Sequence, residues 1–263
     1  MLSDKQIKLK QMWEDQAMHN KNQILAVWGS PSSGKTVTSI KIAKELSKRK
    51  KNVVVVLCDI YCPAISTVMP NCKVDDRSIG KLLSEPSISQ EKILSCSIPV
   101  DKNPYISLLG YKNRDNVYTY PTYSKERVID LLILLRHIAD YVIIDCSSII
   151  TNDIMTTISL EMADVVLRLG CCELKGISYY SSHLPLIDEN KFQPAKHIKV
   201  LSKVKPNEVQ GEYYNFYNGV SYVLPYIEEL HEQFLYGKLF DSLRGNDTKK
   251  YQTTMEKLVG EVF

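Results

Sequence analysis

Gly29-Ser30-Pro31-Ser32-Ser33-Gly34-Lys35-Thr36 satisfies the spacing Gly-x-x-x-x-Gly-Lys-Ser/Thr without a gap. Glycines at the two ends let the backbone curl so that successive N–H groups converge on one phosphate. Lys35 then reaches the outer phosphates, the Thr36 hydroxyl suits Mg²⁺, and the helix expected from Lys35 points its positive end at the same anion. Val37 lies in that first turn. Two acids close apolar runs further along the chain. Asp145 ends the run YVIID, where a carboxylate holds a divalent cation directly or through water. Asp59 follows VVVVLC and can orient the metal or an attacking water. Lys35 and Asp59 are therefore the catalytic candidates, with Thr36, Asp145 and Asp59 the metal candidates.

These groups need a scaffold that brings strand ends and loops together. Residues 24–28, 53–58, 141–146, 165–169 and 197–201 are short runs with little polar alternation, as in strands buried on both faces of a parallel sheet. Helical patterns over 35–50, 124–139, 153–162 and 174–188 lie between them. A strand at 220–224, then helices from about 227 and 248, complete the alternation. Strand and helix in turn predict an α/β fold, a doubly wound and mostly parallel sheet with helices on both faces. Residues 60–122 are the least regular part and contain one expected strand, 105–110. In the first helix the lysines are expected opposite the apolar face of Val37, Ile40, Ile42, Ala43 and Leu46.

Composition narrows the class without naming a chemistry. The 263 residues are 44% hydrophobic and 24% charged, which excludes a disordered, collagenous or coiled-coil chain. A net charge of +3 does not select nucleic acid. The basic stretch 44–51 reads as the solvated face of the first helix, so DNA contact is not favoured. No run approaches the ~18 apolar residues of a membrane span, and the polar start does not read as a signal peptide. Residues 1–22 read as a polar helix or interaction arm, and 23–263 as one domain. The seven cysteines form no metal-knuckle spacing. Cys58 and Cys146 read as small core residues, and the Cys171-Cys172 pair as a buried strand end, all suited to a reducing cytoplasm.

On the phosphate loop, the Asp59 segment, the helix before YVIIDC, LEMADVVLRLG, VLSKVKP and YVLPYIEELHEQFLYGKLF, the chain resembles the ParA/MinD family of P-loop ATPases over roughly residues 22–240. The resemblance implies ATP or ADP with Mg²⁺ as ligands, an ATP-dependent homodimer, and a switch that positions or segregates a cargo. It also implies nucleotide contacts from Gly29 to Val37, from Ser202, and from Pro225 and Tyr226. Three positions depart from the family pattern. Ser30 stands where a lysine usually reaches the partner's nucleotide. Tyr61 stands where a second Asp is common, and Ser202 replaces the adenine-binding Asn. By analogy with arginine fingers, losing one such cation lowers rate by about 10³–10⁵, so binding is better supported than hydrolysis. Loosened motifs of this kind resemble TadZ and CpaE of pilus assembly, which implies a protein partner in a positioning, pilus or secretion system. A capsule-type tyrosine kinase shares the core but ends in clustered tyrosines, whereas this tail holds Tyr251 alone. Tyr213, Tyr214 and Tyr217 are expected on a surface hairpin or partner face.

Overall fold

In the computed structural model, residues 23–72, 74, 76–208 and 210–263 are described, so the reading of 1–22 as a helix or arm lies outside the described residues. In chain order the elements are β1 (Ile24–Gly29), α1 (Lys35–Ser47), β2 (Val53–Leu57), α2 (Ile65–Val68), α3 (Ile79–Ser84) and α4 (Gln90–Cys96). β3 (Ile98–Val100), β4 (Asn103–Gly110), α5 (Lys125–Ile138), β5 (Tyr141–Asp145), α6 (Ile154–Met162), β6 (Val165–Cys171) and α7 (Leu174–Ile187) follow. The chain ends with β7 (His197–Val204), α8 (Gln210–Phe216), β8 (Tyr222–Pro225), α9 (Glu228–Leu235) and α10 (Lys249–Val262). One eight-stranded sheet has the order β3-β4-β2-β5-β1-β6-β7-β8. All pairings are parallel except β3 with β4.

The unbroken apolar runs have the predicted cause. Ile24, Ala26 and Trp28 pack on one face of the sheet with α5, α6 and α7. Leu25 and Val27 pack on the other with α1 and α10. With every β1 residue buried, alternation brings no polar residue to either face. Cys58 and Cys146 are buried core thiols, and burial pushes both well above their usual pKa. Cys171 ends β6 in the interior and Cys172 is half-buried. The basic stretch meets solvent from Lys48 to Lys51.

Four expectations are corrected. Residues 60–122 hold three short helices and a hairpin, where one strand was expected. The strand runs 103–110 and pairs with an antiparallel partner, while α3 and α4 are started by Ser78 and Ser89 side chains capping backbone N–H groups. The tyrosine-rich 213–217 segment is no hairpin. It is the end of α8 and the residue after it, because Tyr213, Tyr214 and Tyr217 share helical spacing and turn toward the core. Lys41 does not sit opposite the apolar face; it is buried beneath α9. Finally, β8 occupies 222–225, shifted from 220–224, because Tyr222 and Leu224 are its inward positions.

Candidate functional site

β1 lies at the centre of the sheet, and its carboxyl end feeds the loop 29–36. Gly29 has no room for a side chain: a Cβ there would sit 2.2 Å from Leu169 O of β6. Gly34 has φ of 84°, a left-handed conformation that glycine adopts freely, and it caps α1 without any side-chain bond. The first-turn amides of Lys35, Thr36 and Val37 thus lack intrahelical acceptors and are free for an anion. Ser33 Oγ is buried without a hydrogen-bond partner.

Lys35 folds back into this cradle. Its Nζ lies 2.6 Å from Ser148 Oγ, 3.2 Å from Ser30 O and 3.4 Å from Gly29 O. All three are neutral oxygens. Burial lowers the pKa of the ammonium, and the charges of Asp145 and Asp59 partly restore it. Thr36 Oγ1 donates to Asp145 Oδ2 at 2.6 Å, and Ser39 Oγ lies 3.4 Å from Oδ1 of the same carboxylate. Burial pushes Asp145 up to about 6 against the pull of the Thr36 hydroxyl and Lys35. Asp59 is half-exposed on the same cavity, and its Oδ1 accepts the backbone N–H groups of Tyr61 and Cys62 at 2.9 and 3.0 Å.

The loop opens into a cavity of about 630 Å³. Its lining includes Pro31, Ser32, Ser202, Pro225 and Tyr226. Ser202 does not offer a free hydroxyl there: its Oγ lies 2.5 Å from Ser33 O and 3.1 Å from Gly170 O. Tyr226 is half-exposed and its hydroxyl donates to Glu228. Ser30 is turned inward, 1% exposed, with Oγ 3.8 Å from Cys171 Sγ. Of the predicted residues, then, Gly29, Ser33, Gly34, Lys35, Thr36, Asp145 and Asp59 converge, and Ser30 leaves the anion face.

Sequence reasoning missed Ser148, which bridges Lys35 Nζ and Gly29 O (2.9 Å). Its backbone oxygen accepts the Tyr179 hydroxyl. Ser147 beside it donates to Asp153 at 2.5 Å, and Thr156 binds the same carboxylate at 2.8 Å, which fixes the loop after β5 at the head of α6. The signal was present in the two serines that follow Asp145-Cys146.

A fixed ammonium among neutral oxygens, free amides at a helix start and a Thr–Asp pair fit a phosphate with Mg²⁺. No family model matches this sequence, and no curated protein matches it. Solved structures do share the architecture. A ParA family ATPase from Chlorobium tepidum TLS superposes with a TM-score of 0.75 at 15% identity, over 91% of this chain and 98% of that one. MinD from Pyrococcus horikoshii OT3, the septum site-determining protein complexed with Mg-ADP, gives 0.67 at 15% identity, over 91% and 95%. A Borrelia burgdorferi B31 protein bound to AMPPNP gives 0.67 at 15%, over 91% and 99%. The chain has the P-loop NTPase fold in its ParA/MinD form.

Proposed function

We propose that this chain is a nucleotide-dependent switch of the ParA/MinD type, a single domain over 23–263 that binds ATP or ADP with Mg²⁺. The observation that carries this reading is Lys35, a half-buried cation placed at a helix start with only neutral oxygens as direct partners. Loop amides from Ser32 to Val37 and Lys35 hold the phosphates in this reading. Thr36 and Asp145 hold the metal, Asp59 orients water, and Ser202, Pro225 and Tyr226 border the base. Bound Mg²⁺ would supply charge neutralisation at the outer phosphates. The solved neighbours with Mg-ADP and AMPPNP support the ligand class.

The neighbours support a cargo class of positioning or partition; the protein partner in a pilus or secretion system rests on the loosened motifs alone, by their resemblance to TadZ and CpaE. ATP-dependent homodimers in the cytoplasm, recruited to a pole, a membrane surface or the nucleoid, complete the proposal. No helix among the described residues is long and apolar enough to cross a membrane. Hydrolysis is weak in this reading, and a non-hydrolysing scaffold is the second reading, favoured by the inward-turned Ser30. The kinase reading loses ground because Tyr251 is buried under α1, 3% exposed. DNA remains the less favoured partner.

Thermal unfolding with MgATP tests the switch. Ligand at about 100 times its dissociation constant adds ~2.7 kcal/mol, and each kcal/mol raises the midpoint by ~2–4 °C in a domain of this size. Lys35→Ala is expected to abolish the rise. An unchanged midpoint in the native chain sinks the nucleotide reading, whereas steady phosphate release at a brisk rate sinks the scaffold.

A further inference from the structure

β7 does not pair evenly with β8. Leu201 is opposite Val223 and Val204 opposite Pro225, so Ser202 and Lys203 share the single residue Leu224 between those pairs. This is a bulge with one extra residue on β7, a device that re-aims side chains. Lys203 pays for it with a left-handed φ of 57°, unusual for a residue with a Cβ.

The bulge throws Lys203 across the phosphate loop. Its Nζ donates to Ser32 O at 3.0 Å. Its stem runs beside Gly34, with Cδ and Cγ 3.6 and 3.8 Å from where a Cβ would stand. Ser202 Oγ, one residue earlier, is on Ser33 O. Two consecutive residues of β7 thus hold loop residues 32, 33 and 34. Lys35 and Lys203 are the only lysine or arginine side chains lining the cavity among the described residues. Lys35 is deep and Lys203 stands at the rim. The polar partner of Lys203 is a neutral carbonyl, which leaves its charge available to an anion.

We infer that Lys203 is the second anion-binding cation of this site, delivered in cis by the β7 bulge to the polyphosphate of a nucleoside di- or triphosphate. This rests on the nucleotide reading above and adds a residue and a charge rule to it. The second residue of the loop, a lysine in the family that the sequence resembles, is here Ser30, packed on Cys171 and turned away from the anion face. A cation from β7 makes polyphosphate binding a property of one chain, independent of a second copy.

Calorimetric titration of the full chain tests this, with ATP, ADP and inorganic triphosphate at low and high salt. Lys203→Met keeps the stem and removes the charge. It is expected to weaken ATP about tenfold at low salt and ADP by less, because the lost attraction scales with ligand charge. High salt is expected to shrink the difference, since screening at 1 M acts within about 3 Å. Lys203→Arg is expected to restore binding. Equal ATP affinity in the native chain and Lys203→Met overturns the inference. So does a loss of the same size for ATP and ADP that salt leaves unchanged, the outcome for a mere loop strut. Should Lys203→Met not fold, Lys203→Gly serves instead, because glycine accepts this φ without strain. A native chain that binds triphosphate but no nucleotide sinks the nucleotide reading, and the variants then judge Lys203 on triphosphate. A native chain that binds neither overturns both.

Discussion

Lys41 is the residue whose surroundings depart furthest from its type. It lies one turn beyond Val37 on α1, 6% exposed, with Nζ 2.6 Å from Gln233 Oε1, 2.6 Å from Leu239 O and 3.1 Å from Asp241 O. Burial, with Lys44 nearby, lowers its pKa from 10.5 to about 7, against the pull of Asp241 and Glu229. Between these values the unfolded chain binds a proton that the folded chain does not. Stability therefore rises with pH from about 7 to about 10, and below that window the contribution is constant. Urea unfolding of the native chain and Lys41→Met at about pH 7 and pH 10 checks this: the native midpoint rises more with pH. An equal rise in both would place the proton elsewhere. Ser30 teaches the complementary lesson. A lysine written at that position would have to be buried beside Cys171, a costly place for a charge.

At the scale of elements, the central strands and the phosphate loop were legible because their causes are local. Runs such as VVVVL have apolar residues for both faces, and Gly29 to Thr36 is a contiguous motif. Lys41 was not legible, because its acceptors, the Gln233 side chain and two backbone oxygens, lie about two hundred positions downstream. Ser148 was missed because its role depends on Gly29 O, brought near by the β1–β5 pairing. The aromatic residues and Gly219 of the α8 segment suit a surface hairpin or partner face as well as a helix. The deciding contact is remote: the Tyr217 ring meets Tyr180 edge-on at 5.0 Å and fills the space over Gly170, where a Cβ would stand 2.5 Å from it. Tyr217→Ala is expected to cost about 2–4 kcal/mol in urea unfolding, by analogy with other buried large-to-small changes. Tyr213→Ala, at a half-buried position, is expected to cost under about 1 kcal/mol. Equal losses would mean that α8 is anchored by more than Tyr217.

Across the whole molecule, the arrangement gathers its chemistry at one edge of the sheet. The loop leaves β1, Asp59 follows β2, Asp145 ends β5, and the Ser202–Lys203 bulge ends β7. Parallel strands place all these carboxyl ends together, so four segments distant in sequence meet one ligand. Thr36 and Asp145, 109 positions apart, are already bonded, and so is Lys35 to Ser148. The site is thereby organised by the fold, with the ligand entering a formed cradle.

β1, the first described strand, is also a centre strand, and this has a consequence for synthesis. Its neighbours are β5 and β6, which end at Asp145 and Cys171. A growing polypeptide must carry Ile24–Trp28, wholly inaccessible in the finished domain, without either flanking partner while more than a hundred further residues are translated. Ribosome-bound chains arrested before residue 141 are therefore expected to be cut by protease near β1. Chains whose residues through Cys171 have cleared the exit tunnel are expected to resist there. Of the described strands, the one that gives rise to the nucleotide loop waits longest for its first neighbour in the sheet.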